Sequence, residues 1–113
     1  MRRVLVAILA LAAATSARAQ VPAFMDGNEL YRNCSATQRT FSDGACFGYV
    51  TATSDALSSR GTINGIRACI AADIPAQQVR DIIMAYLARN PDTRHFAAAS
   101  LSAHALEQAF PCR

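Results

Sequence analysis

IPAQQVRDIIMAYLARNP, residues 74–91, is the stretch that decides the fold. Pro75 suits a first helical position and pushes Ile74 out of helical geometry. Val79, Ile82, Ile83, Tyr86 and Leu87 follow at steps of three and four, so they form one apolar stripe. Asn90-Pro91 then ends the helix. Together with Tyr49, Val50 and Leu57, those five side chains are expected to be mostly buried.

Working outward, three more helices can be read. Upstream, Asp26 with Glu29 three residues on reads as a capping box, with Met25 and Leu30 as its hydrophobic staple. That first helix runs to about Cys34, and the polar stretch Ser35 to Asp43 is expected to be a loop. In the second helix Cys46, Tyr49, Val50, Thr53, Ala56 and Leu57 share one face. Gly48 inside it points to a close helix contact, and Gly61 is a plausible stop. Downstream, an Ala-rich fourth helix lies roughly between Ala97 and Ala109 and is stopped by Pro111. No repeat or low-complexity linker interrupts the pattern. The fold class is therefore all-α, a small four-helix domain.

The first nineteen residues belong to a different reading. Arg2 and Arg3 precede an uncharged apolar run, Val4 to Ala14, and Ala17-Arg18-Ala19 carries the small-x-small pattern of a signal peptidase site. The run is too short to span a bilayer, and no second apolar stretch of about 20 residues follows. A signal peptide over residues 1–19, cleaved after Ala19, and a domain over residues 20–113 in the periplasm are expected. The chain has eleven basic residues, all Arg. Three leave with the leader, and eight then face eight Asp plus Glu. A near-neutral domain lacks the surplus of cations that nucleic acid or an anionic membrane would require.

Roughly 90 residues make one small core, which gains from cross-links. Cys34, Cys46, Cys69 and Cys112 all follow the leader, and an even number in an exported chain implies two disulfides. Neither Cys-x-x-Cys nor a haem-binding Cys-x-x-Cys-His occurs, and no histidine sits at zinc spacing from a cysteine. No metal or cofactor is expected. Three pairings are possible. Cys34–Cys46 with Cys69–Cys112 is favoured, because each bridge then closes one helical hairpin at its open end. Loop closure gives about 3 kcal/mol for the first and about 4 kcal/mol for the second.

Catalytic chemistry has little to stand on. No Gly-x-Ser-x-Gly elbow and no phosphate-binding glycine loop occur, and the cysteines are committed to bridges. His95 lies in the turn after the third helix, beside Arg94. His104 lies one helical turn from Ser100 and Gln108 on a polar face, with no carboxylate partner evident from local spacing. Glu29 is explained as a cap. No catalytic residue is assigned, and the protein is expected not to be an enzyme.

The residues left for recognition lie between the second and third helices. Ser58 to Ala72 has no strong period. Asn64-Gly65 between Ile63 and Ile66 is a possible hairpin turn, although its flanks are too short for a sheet. Arg60 to Arg67 carries two glycines and mixes Arg with Ile, as interface anchors do. Arg60, Asn64 and Arg67 are the expected partner-binding residues; the competing reading is a mobile connector without contacts. The turn Asn90 to His95 is a second candidate, though turn chemistry accounts for its residues.

Gly27-Asn28-Glu29-Leu30, Cys34, Cys46-Phe47-Gly48-Tyr49-Val50 and Asp55-Ala56-Leu57 occur in that order. Cys69, Gln78-Val79, Tyr86-Leu87, Asn90-Pro91-Asp92 with Arg94-His95, Ala105-Leu106 and Ala109-Phe110-Pro111-Cys112 complete the series. This combination, over nearly the whole chain after the leader, resembles the Rap/Tai family of type VI secretion immunity proteins. Pro75 stands where the family tends to carry a Thr-like cap, and Asn90 where His often precedes the Pro. The resemblance implies an exported, helical, often homodimeric protein. It implies a partner as well, a peptidoglycan amidase effector whose active-site cleft the immunity protein covers without doing chemistry. Two other classes remain open. The fold is distantly similar to the small HdeA-type acid-stress chaperone, which would retain unfolded clients near and below carboxylate pKa values. An envelope enzyme with a site assembled from distant residues is the third.

Overall fold

The computed structural model describes residues 23–113. The expected signal peptide and its cleavage point after Ala19 lie outside the described residues. Four helices follow one another: α1 Gly27–Cys34, α2 Phe41–Ser58, α3 Ala76–Arg89 and α4 Ala98–Ala109, with a 3₁₀ turn at Pro91–Thr93. All six pairs of helices touch. The extended pairing among the described residues consists of two isolated bridges, Asp26 with Ala97 and Ile63 with Ile66.

The start of α1 is built as its cap residues require. The Asp26 carboxylate accepts the Glu29 N–H at 2.8 Å, and Met25 packs against the core. Gly27 N–H donates to the Phe96 carbonyl and Ala98 N–H to the Met25 carbonyl, both at 3.0 Å. The entries of α1 and α4 are thereby joined side by side. Gly27 permits this approach: a Cβ there would collide with Leu101 and stand 2.8 Å from the Arg94 carbonyl.

α2 begins earlier than the polar character of its first turn suggests. The loop covers residues 35–40 only, because Thr40 caps the helix by accepting the Asp43 N–H at 3.3 Å. Asp43 in turn accepts the Arg39 N–H at 3.0 Å, a reciprocal arrangement with Asp in the place Glu usually takes. Within α2, Cys46, Val50, Thr53 and Leu57 are buried, Tyr49 is half-buried and Ala56 is exposed. Ala56 thus lies off the face assigned to it, at the edge of a stripe narrower than its spacing allows. The buried Thr53 hydroxyl is satisfied by the Tyr49 carbonyl at 2.9 Å. Gly48 does not mark a close contact: it is exposed, and a Cβ there would meet nothing within 4 Å. At the far end Arg60 takes the left-handed conformation, φ 62°, that glycine usually supplies. Gly61 is needed next to it because a Cβ there would collide with the Ala56 carbonyl.

α3 carries the centre of the core. Val79, Ile83 and Leu87 are buried, whereas Ile82 and Tyr86 are half-buried at the edge of the stripe and pack against the core from its margin. Pro75 is the N-cap, extended at ψ 150°, and the helix starts at Ala76. On α4, Ala98, Ala103 and Ala105 are buried beside Leu101 and Leu106, so small side chains let this helix sit deep. The Ser102 hydroxyl is fully buried there with no hydrogen-bond partner among the described residues.

Both disulfides pair as favoured, Cys34–Cys46 and Cys69–Cys112. The first is buried and the second is exposed. Two arginines add polar stitching. Arg80 of α3 pairs with Asp43 at 3.1 Å, donates to the Cys34 carbonyl and lies 4.8 Å from the Phe47 ring centre. Arg94 donates to the Leu87 carbonyl at 2.6 Å and stacks 4.0 Å above the Tyr31 ring. Its own carbonyl accepts the Asn28 N–H at 2.9 Å.

Candidate recognition surface

The connector from α2 to α3 is held at several points. Ser59 N–H closes α2 on the Asp55 carbonyl at 3.2 Å. Ile63 and Ile66 exchange backbone hydrogen bonds at 3.1 and 2.9 Å around Asn64 (φ 50°) and Gly65 (φ 79°). Two successive positive φ angles define a type I′ turn, the geometry Asn-Gly favours. The hairpin turn possible at this dipeptide is present as a single bridged pair. Further on, Cys69 N–H donates to the Phe110 carbonyl at 2.8 Å, and its side chain is bridged to Cys112. The connector is thus fastened within the domain at each of these points.

From Ile66 to Cys69 burial alternates: Ile66 and Ala68 point inward, Arg67 and Cys69 outward. This extended register aims Arg67 toward the end of α2. There Arg67 and Arg60 line one open cleft of about 250 Å³, with Ser58 at its side and Leu57, Ala68 and Ile70 as its apolar lining. Neither guanidinium has a carboxylate within 4.0 Å among the described residues.

Of the three residues expected to bind a partner, Arg60 and Arg67 are thus brought together. Asn64 is not part of the cleft. Its side-chain amide donates to the Ser100 hydroxyl, so it fastens the turn onto α4 while remaining exposed. Ser58 and the alternation at 66–69 were not legible beforehand; a two-residue period over four positions is too short to stand out.

The other candidates resolve differently. In the Asn90–His95 turn, the Asn90 side chain caps the Tyr86 carbonyl at 2.8 Å and Arg94 is committed to Tyr31 and Leu87. His95 is exposed, its ring 4.2 Å from that of Phe96. His104 does have a carboxylate neighbour: Glu107, three residues on, approaches Nδ1 to 3.4 Å on an exposed face. The i,i+3 spacing on α4 supplies this pair. Burial pushes the Tyr49 phenol above its ordinary range, and the Ala99 backbone partly offsets this. A second groove, about 340 Å³ between α3 and α4, is lined by alanines, Ile82, Gln108 and Arg89. Among the described residues no group of three His, Cys, Asp or Glu is arranged to hold a metal ion. No described helix is long and apolar enough to cross a membrane.

These features describe a disulfide-stapled four-helix module whose most distinctive surface is an ordered, exposed, arginine-bearing connector. The model of the Rap1a immunity proteins matches residues 26–112, and the chain belongs to that family. The match runs from the N-cap of α1 to the last bridged cysteine, so it takes in all four helices and both disulfides. No curated protein and no solved structure matches the chain.

Proposed function

We propose that this chain is the periplasmic immunity partner of a type VI secreted peptidoglycan amidase, and that it protects the cell wall by covering the amidase cleft. The observation that carries this reading is membership of the Rap1a immunity family over residues 26–112. Immunity of this kind needs a stable surface and no chemistry, since blocking a cleft requires only that the complex outlast the encounter. The stapled core supplies that stability, and the leader read at residues 1–19 would deliver the chain to the compartment where the wall is cut.

The contact surface is placed at the connector, with Arg60 and Arg67 as charged anchors and Asn64 holding the turn between them in position. A homodimer would present this connector twice. The test is a pull-down of any secreted wall-cleaving enzyme encoded beside this gene, or of periplasmic extract, with the wild-type chain and with Arg60, Asn64 and Arg67 changed together to Ala. Capture by the wild type and loss in the triple variant support the reading. Unchanged capture by the triple variant removes the connector from the interface. Failure of the wild type to bind any wall-cleaving enzyme, with retention of unfolded clients at about pH 2 to 3, gives the case to an acid-stress chaperone.

A further inference from the structure

We infer that the cleft between Arg60 and Arg67 receives an acidic side chain, an Asp or a Glu, presented by the partner protein. The inference rests on the effector-binding reading above. Its basis is charge complementarity in a confined place. Arg80 and Arg94 are satisfied internally, by Asp43 and the Cys34 carbonyl and by the Leu87 carbonyl and Tyr31. Arg60 and Arg67 face one cleft and have no carboxylate within 4.0 Å among the described residues. Two cationic residues lining one cleft are complementary to an anion.

The surroundings suit a carboxylate carried on a short apolar stem. Leu57, Ala68 and Ile70 offer an apolar lining against which methylenes can pack, and they strengthen a charge pair formed beside them. The Ser58 hydroxyl adds a neutral donor. Guanidinium groups hold carboxylates through paired N–H bonds, a geometry a lysine cannot reproduce. At about 250 Å³ the cleft is smaller than the sites that bury cofactors or drug-sized ligands, and it has room for one side chain.

The frame is also ordered before binding. Ser59 N–H ties one wall to α2, and the Cys69–Cys112 bridge with the Cys69 to Phe110 hydrogen bond ties the other to the end of α4. Little ordering of the backbone remains to be opposed when the partner docks.

The experiment measures binding of the full chain to the purified wall-cleaving enzyme that the pull-down above identifies, by calorimetry, across a range of ionic strength. Arg60→Gln with Arg67→Gln keeps an amide donor on a shorter stem but removes both charges. It is expected to weaken binding by about 30-fold or more, in line with two charge-assisted contacts. The corresponding double Lys variant should fall between, because charge is kept and bidentate geometry lost. The wild type should lose affinity with salt more steeply than the double Gln variant. Arg67→Glu should bind worst, and Asp→Arg or Glu→Arg at one position of the enzyme should restore it. Melting within a few degrees of wild type would establish that the variants fold. Binding by the double Gln variant within about twofold of wild type, with no difference in salt dependence, overturns the acidic anchor and leaves the immunity reading standing. Absence of binding by the wild type overturns the immunity reading and the anchor with it.

Discussion

At Gly27 a methyl group has nowhere to go, since it would meet Leu101 and stand 2.8 Å from the Arg94 carbonyl. At Gly48 the same methyl group would project into open space from the middle of α2. Gly27→Ala is expected to destabilise the domain by about 1–3 kcal/mol, the usual cost of overpacking a contact backbone must absorb. Gly48→Ala should stabilise it by about 1 kcal/mol, the helix-propensity difference. Urea denaturation of both variants checks the contrast, and equal signs would contradict the packing. The sequence misplaced this contact because a glycine in a helix looks the same whether its neighbours press on it or not. Ser102→Ala should also stabilise, by about 1 kcal/mol, because the buried hydroxyl it removes lacks a partner while Thr53 on α2 has one. Tyr49 adds a pH dependence. Burial raises its phenol above the ordinary 10.0, so as pH climbs past that value the unfolded chain ionises first and stability falls. Unfolding measured at a series of alkaline pH values should show this decline in the wild type and a smaller one in Tyr49→Phe. Identical slopes would place the Tyr49 phenol in water.

The helices were legible to different degrees, and for identifiable reasons. α3 was clear because Val79, Ile83 and Leu87 repeat on one face and are the positions the core buries. Ile82 and Tyr86 belong to the same spacing but stand at its margin, a distinction that only the neighbouring helices decide. The start of α2 was missed because Thr40-Phe41-Ser42-Asp43 reads as polar loop until the Thr40 hydroxyl is seen to accept the Asp43 N–H and the Asp43 carboxylate the Arg39 N–H. Ile83→Ala should cost roughly 2–5 kcal/mol at a fully buried site. A loss under about 0.5 kcal/mol, as at exposed positions, would contradict the orientation of α3. The bridges differ in access. Cys34 and Cys46 are buried, 4% and 0% exposed, whereas Cys69 and Cys112 lie at the surface. Mild reduction of the native protein followed by alkylation and peptide mass spectrometry should therefore label Cys69 and Cys112 first. Removal of that bridge, which joins residues 43 apart, is expected to cost about 4 kcal/mol by loop closure.

For the whole molecule, the architecture followed from composition and spacing. Even cysteines, apolar stripes and helix stops lead to four stapled helices, and the pairing that closes each hairpin is the one the chain adopts. The recognition surface was only partly legible. Arg60 and Arg67 were singled out for being charged in a segment without helical period, but what makes them a pair is the extended run at 66–69 and the bridge at Cys69. Both are products of tertiary packing. Asn64 took the opposite course, from expected contact residue to the clip that fastens the turn to Ser100. The immunity reading predicts that inhibition is stoichiometric, since a module that acts by occupying a cleft is consumed one for one. The most direct measurement is therefore hydrolysis of purified peptidoglycan by a type VI secreted amidase that the chain captures, at fixed enzyme and rising concentrations of the chain. Activity should fall linearly and reach background at an equimolar or other fixed whole-number ratio. Full activity in the presence of excess chain, or complete loss at a small fraction of the enzyme concentration, would contradict the account.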